Sequence, residues 1–491
     1  LQNHLHIYRM SKIKNVFVKY PRAFWVANTM ELFERWAWYG MFMLFALYLT
    51  GSRDTGALGF TQAQKGYLMG PVVAILYFLP LITGAIADRF GYKKVLIVAY
   101  LMLSSGYFLM GIFKTYVSMY VVFMFVALGA ALFKPIISAT IAKTTDDETS
   151  SIGFGIFYMM VNIGAFIGPV VASKLRAADW QMVFTTSSIV ILANLIIVIF
   201  FFKEPDRQVS KDPLGKSILK ILHNVWIAIS DLKLLLFLLI IVGFWAMYNQ
   251  LFYTLPVFID QWMDTSLLYD ALHNISPGVA ATIGTDEGTI APEMLTNIDA
   301  MYIIIFQIMV SAFVMKYKPL NAMMSGILVN AIGLSLTFYT NNPFFLFLSI
   351  LIFGLGEMAS SPKITEYIGK IAPKEKVALY MGASFLPMAG GNFFAGILSG
   401  DVYGKMSDKT YLLQKEVAAK GLEIPVISDS FTQNDYFARA GELMNLTQKE
   451  LTTHLWNTYH PGNIWMVFAG IGLGTVILLF LYDRFILKST K

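Results

Sequence analysis

The sequence predicts an all-α membrane protein with twelve transmembrane helices in two six-helix bundles. Three observations predict it. Of 491 residues, 56% are hydrophobic and only 14% charged, and the mean hydropathy is +0.60, too apolar for an ordinary soluble domain. Apolar runs recur near 21–50, 62–87, 93–113, 116–142, 152–174, 180–202, 234–258, 292–315, 320–340, 343–370, 377–400 and 462–486. Each meets the roughly 20 residues that a helix needs to cross hydrocarbon. The cations fall in alternate connections: Lys12, Lys14, Lys19 and Arg22; Arg89, Lys93 and Lys94; Lys203, Arg207, Lys211, Lys216 and Lys220; Lys316 and Lys318; Lys374 and Lys376; Arg484 and Lys488. On alternating helices these share one side, which predicts that both termini are cytoplasmic.

The formal charge of +6 is explained by that placement, so no nucleic-acid partner is expected; the partner is the bilayer. With no cysteine, disulfides and thiolate metal sites are excluded. No cleavable signal peptide is evident, and Met10 reads as a natural start with Leu1 to Arg9 as a remnant ahead of it. The chain divides into a cytoplasmic tail (1–20), a first bundle (21–203), a cytoplasmic linker (204–233), helices seven to eleven (234–400), an outer insertion (401–461) and the last helix with its tail (462–491). The linker is too short for an extra pair of spans. The stretch Leu251 to Ala300 has no Lys or Arg but carries Asp260, Asp264, Asp286, Glu287 and Glu293, and is expected outside.

Taken in order, the first span holds Glu31, Glu34 and Arg35 at i, i+3 and i+4, with Tyr39 one turn further on the same face. Ionisable groups in mid-membrane cost at least a few kcal/mol each unless they pair or face a polar cavity, so this face is expected to line a cavity. Two carboxylates competing for one guanidinium leave an acid able to take up and release a proton; the bland alternative is an ion pair that only fixes packing. The second span ends in Gly84-Ala85-Ile86-Ala87-Asp88-Arg89-Phe90-Gly91, and the fourth carries a lone cation, Lys134, whose structural reading is a partner for Glu31 or Glu34. In the fifth, Asn162 is tolerable if it hydrogen-bonds a neighbouring helix. The tenth holds Glu357, with Lys363 and Glu366 two turns inward as a gate or packing pair. The pairs Gly66/Gly70, Gly164/Gly168 and Gly396/Gly400 fit close helix packing in lipid. In the insertion, Thr447-Gln448-Lys449-Glu450 is a capping box ahead of Leu451, Leu455 and Trp456, which predicts a small helical cap on the outer face. The bland reading of that cap is an elaboration; a binding role is the alternative.

These stretches resemble the proton-coupled oligopeptide transporter (POT or PTR) family of the major facilitator superfamily. Glu31 to Gly40 resembles its first-helix motif ExxERFxYYG, with Trp36 for Phe and Trp38 for the first Tyr. Gly84 to Lys94 resembles the superfamily's 2–3 loop motif, which implies that Asp88 caps a tight turn and, with Arg89, works at the cytoplasmic gate. Gly129 to Ser138 resembles GxGLxKPxxS, Phe154 to Phe166 the FYxxxNxG signature, and Gly356 to Pro362 the tenth-helix GExxxSP. The resemblance implies that Lys134 pairs with the first-helix acids and attracts a substrate carboxylate, that Asn162 meets a peptide carbonyl, that Tyr77 belongs to the pocket, and that Glu357 holds the amino group. Arg35 and Tyr39 join the pocket on the same grounds. Three positions depart from the family: Asn249 stands where a coupling Glu is usual, Asp299 where an Asn is usual, and Ser384 where a Trp narrows the site.

The reading is a proton-coupled symporter importing di- and tripeptides by alternating access, driven by a proton gradient without a cofactor. Proton coupling is assigned to Glu31, Glu34, Lys134 and Asp299. A bacterial-type inner membrane and a monomer are expected. The nearest alternative is the same fold moving another small amphoteric or cationic substrate. A receptor or enzyme using the insertion is the rival class, and no HExxH, GxSxG, P-loop or paired Cys supports it.

Overall fold

The computed structural model describes residues 20–146, 149–205, 213–338 and 340–487. Lys12, Lys14, Lys19, Met10, Arg207, Lys211 and Lys488 lie outside the described residues. Every predicted span is occupied by helix. Among the described residues nine helices are long and apolar enough to cross a membrane, and a tenth counts if the bent pair Gln62–Phe78 and Pro80–Phe90 is one span. Two further helices fill predicted spans: Arg22–Thr50, whose polarity comes from Glu31, Glu34 and Arg35, and Pro319–Ser335, which has 17 residues.

Three spans are broken. The second span bends by 48° ahead of Pro80, whose ring removes a backbone donor. The seventh is interrupted at Asn249 and again at Thr254, and the eleventh at Ser384. The turn after the second span has Gly91 at φ +103°, a conformation open to glycine and strained for other residues, and the Tyr92 hydroxyl donates to Asp88 Oδ1 at 3.1 Å.

The linker is more structured than expected. It contains an amphipathic helix, Leu214–Ile229, resting on the segment Pro80–Phe90 of the second span and on Val377–Ala383 of the eleventh. The eleventh-span helix also runs past 400, through a π-turn at Leu398–Val402 to Met406, before the cap helices Lys409–Ala419, Gln433–Met444 and Gln448–Tyr459. The predicted capping box is present: Thr447 Oγ1 receives the Glu450 N–H and the Glu450 carboxylate receives the Thr447 N–H.

The glycine pairs do two different jobs. Gly164 and Gly168 lie against Leu32, Trp36 and Gly40 of the first span, so they join helices within one bundle as expected. Gly66 and Gly70 instead meet Gly396 and Gly400, backbone against backbone, which joins the second span of one bundle to the eleventh of the other. Nearby, Arg176 Nε approaches Glu293 Oε1 at 3.2 Å, Lys174 donates to the Gly284 carbonyl at 2.6 Å, and Asn297 donates to the Phe166 carbonyl at 2.9 Å. The cap adds an Arg53–Asp429 ion pair and an Asn434–Asp54 hydrogen bond of 2.8 Å. The two bundles are thus closed against each other at the end of the helices that carries the cap.

Candidate functional site

A cavity of about 270 Å³ lies between the bundles, lined from one side by Tyr39, Tyr77, Tyr158 and Asn162 and from the other by Tyr248, Asn249, Asp299 and Glu357. Six of the predicted substrate residues therefore converge: Tyr39, Tyr77, Asn162, Asn249, Asp299 and Glu357.

The side contributed by the later helices is acidic. The Tyr248 hydroxyl donates to Glu357 Oε1 at 2.9 Å, while Glu357 Oε2 and Asp299 Oδ1 have no hydrogen-bond partner. Neither carboxylate has an ion-pair partner among the described residues. Asp299 is only 4% exposed, so its carboxyl is buried within the protein. Two uncompensated carboxyls in one poorly solvated pocket suit a cationic group or protons brought in from outside.

The side contributed by the first bundle agrees with the expectation at Arg35 and departs from it at Lys134. Arg35 takes both acids of its own helix, through Nε to Glu34 Oε2 at 2.6 Å and Nε to Glu31 Oε1 at 3.3 Å. The reason is reach: both acids lie within a turn of Arg35 on one helix, so no second helix has to approach. One atom of the trio, Glu34 Oε1, remains buried without a partner. Lys134 is not paired with Glu31 or Glu34; its ammonium sits 4.2 Å from the centre of the Tyr77 ring. Arg35 lies 6.0 Å from the Tyr39 ring. Arg35, Lys134 and the two acids are not among the cavity's lining residues, so the face predicted to line the cavity does so only through Tyr39. The two cations stand behind the two tyrosines.

Asn162 and Asn249 each spend their Nδ2 on a carbonyl of their own helix, Tyr158 at 2.8 Å and Trp245 at 2.7 Å. The neighbouring-helix bond expected of Asn162 is absent, and its Oδ1 stays available as an acceptor. Ser384 does not line the cavity; it sits at the eleventh-span break with Oγ donating to the Met381 carbonyl at 2.6 Å. Lys363 pairs with Glu366 at 2.6 Å, and Lys370 pairs with the same carboxylate at 2.6 Å. All three belong to one helix, so this is a local cluster and not a bridge between bundles. Asp88 receives Tyr92, whose hydroxyl also accepts from Lys143 Nζ at 3.2 Å. Arg89 lies 5.9 Å from the Phe90 ring.

Sequence reasoning missed Lys65, which is fully buried and donates to Gln62 Oε1 at 2.8 Å and to the Tyr253 carbonyl at 2.9 Å, across the seam between the bundles. A lone cation inside an apolar run was the available signal. No group of three metal-ligating side chains occurs among the described residues.

Residues 29–285 match the family described as Major Facilitator Superfamily. A dipeptide and tripeptide permease A of Proteus mirabilis is 25% identical over 432 residues, covering 77% of this chain and 86% of that protein. The uncharacterized transporter YclF of Bacillus subtilis is 25% identical over 185 residues, and there the matched stretch spans only 38% of the relative's length. Among solved structures, a peptide transporter POT in complex with sulfate superposes with a TM-score of 0.67 at 18% identity, over 94% of this chain and 95% of that one. At that identity the likeness is one of fold.

Proposed function

The chain belongs to the Major Facilitator Superfamily, and from that premise we propose that it is a proton-coupled symporter of the oligopeptide-transporter type, importing di- and tripeptides by alternating access. The observation that carries the reading is the cavity's polarity: Glu357 and Asp299 on one bundle face Tyr39 and Tyr77 on the other, with Arg35 and Lys134 behind the tyrosines. A zwitterion with its ammonium at the carboxyl pair and its carboxylate toward the two cations spans both bundles. A peptide backbone adds donors and acceptors for Asn162 and Asn249. The permease of Proteus mirabilis supports the peptide class. A cavity of about 270 Å³ suits a short peptide and excludes a long one.

In the proposed cycle, Arg35 exchanges Glu31 and Glu34 for the substrate carboxylate, which frees a first-helix acid to hold a proton. Such a bistable pair couples two ligands because each biases the same arrangement. Release to the cytoplasmic side follows from the seam closed outside. We place the protein in a bacterial-type inner membrane as a monomer; the distribution of Lys and Arg supports placing both termini in the cytoplasm.

The test is uptake of a labelled dipeptide into liposomes with and without an inward proton gradient, against a panel of tripeptides, amino acids and amines. Gradient-dependent accumulation of dipeptide is expected. Accumulation of an amine in preference to every peptide would replace the peptide reading with that of a cationic substrate, the second reading favoured by the Asp299–Glu357 pair.

A further inference from the structure

The linker helix Leu214–Ile229 presents three distinct faces. Ile221, Val225 and Ala228, at i, i+4 and i+7, turn toward the protein. Leu219, Leu222 and Trp226, at i, i+3 and i+7, are exposed by 67%, 40% and 66%. Beside them Lys216, Lys220 and His223, at i, i+4 and i+7, form an exposed basic stripe, and the helix contains no acidic residue. An exposed apolar stripe flanked by cations, ending in a Trp, is the pattern of a helix lying in a membrane interface beside anionic headgroups.

This helix is also tied to moving parts. It rests on Pro80–Phe90, the segment of the second span beyond its bend, and on Val377–Ala383, the segment of the eleventh span before its break. Just past its end, Asp231 receives the Tyr380 hydroxyl of that second segment at 2.5 Å. One segment belongs to each bundle, and both lie on the cytoplasmic side. When the bundles rock, the support under this helix changes.

We propose that Leu214–Ile229 is a docking surface for anionic phospholipid headgroups of the cytoplasmic leaflet, and that occupancy there biases the inner gate. The proposal rests on the transporter reading for its consequence but not for its binding step. Charge complementarity selects the occupant: Lys216 and Lys220 meet phosphate while Leu219, Leu222 and Trp226 enter the acyl boundary. Each lysine near an anionic surface contributes about a fivefold preference, so the pair gives roughly 25-fold over a zwitterionic surface.

The experiment uses the full chain, whose lack of native cysteine allows single-cysteine labels. Leu219→Cys carrying an environment-sensitive fluorophore reports docking in liposomes of phosphatidylcholine with or without 30% phosphatidylglycerol, and needs no substrate. A blue shift that grows with phosphatidylglycerol, falls with salt and is lost in Lys216→Gln/Lys220→Gln is expected. Met381→Cys alkylation reports the inner segment, and its rate is expected to change at least threefold with phosphatidylglycerol in the parent and not in the double variant. Soluble glycerol phosphate at millimolar concentration is expected to leave both readouts unchanged, since the site needs the bilayer; a response to it would overturn the lipid assignment. Equal responses to the two lipid mixtures, or a double variant that behaves as the parent, would overturn the proposal. Failure of peptide uptake in the same liposomes, with both labels responding as expected, would count against the peptide reading alone.

Discussion

Gly66→Ala is expected to shift the protein toward an outward-open state. The added Cβ falls onto the Gly396 carbonyl oxygen, and it lies 2.8 Å from Gly400 Cα and 3.0 Å from Gly400 N. All of these are backbone atoms that no side-chain rotation can move. Carbon contacts are comfortable at about 3.5–4.0 Å, so the second and eleventh helices must part by roughly 1 Å. Overpacking of this kind costs about 1–3 kcal/mol. Because the two helices belong to different bundles, that cost falls on the outer-closed state alone and converts to about a 5- to 150-fold change in the ratio of states. Ala63→Cys, in the outer seam, should be alkylated correspondingly faster in the Gly66→Ala background, with a matching loss of net uptake. Gly333→Ala is the control, because its Cβ meets Phe353 within one bundle and should lower thermal stability without changing access. If Gly66→Ala leaves the alkylation rate unaltered, or lowers thermal stability as Gly333→Ala does with no change in access, the glycine seam is static packing and the argument fails.

Arg35→Ala should weaken free dipeptides at least tenfold while their C-terminal amides change far less, in a competition assay, because a charge-assisted pair is lost only for the carboxylate; equal losses would make Arg35 structural. Lys134→Ala should abolish gradient-driven accumulation while exchange persists, and it should also free the Tyr77 ring; a variant that still concentrates peptide would reduce Lys134 to a packing role. Asp299→Asn should keep peptide binding but lower accumulation and flatten the pH profile of uptake, and an unchanged profile would leave Glu31 and Glu34 as the proton sites. Where the cap docks on the connection after the seventh span, the Ser266 hydroxyl and the Lys449 ammonium of the cap hold Asp264 below the usual carboxylate range. A lowered acid contributes stability above its unfolded value of about 3.9 and loses it as pH falls through the folded value, so cap docking should loosen only in that acid window, as read by proteolysis, and Asp264→Asn should remove the effect.

Much of the protein was determined by the sequence alone. Apolar run length and cation placement specified the helices because a bilayer leaves backbone polar groups no partner outside a helix. Local rules sufficed where the partners are local: the capping box at Thr447 and Glu450, the Asp88 turn, and the Glu31–Glu34–Arg35 cluster all depend on residues within a few positions. Only the tertiary structure decided which distant groups meet. Spacing could not tell that Gly66 and Gly396 join two bundles while Gly164 joins two helices of one, since a small-residue pattern specifies close approach but not the neighbour. Nor could it place Lys134 on the Tyr77 ring, bury Lys65 against the Tyr253 carbonyl, or put Asp299 in one cavity with Glu357. Those outcomes depend on how helices far apart in sequence rotate and tilt against one another, and that is fixed by the packing of whole faces and not by any one residue's neighbours along the chain.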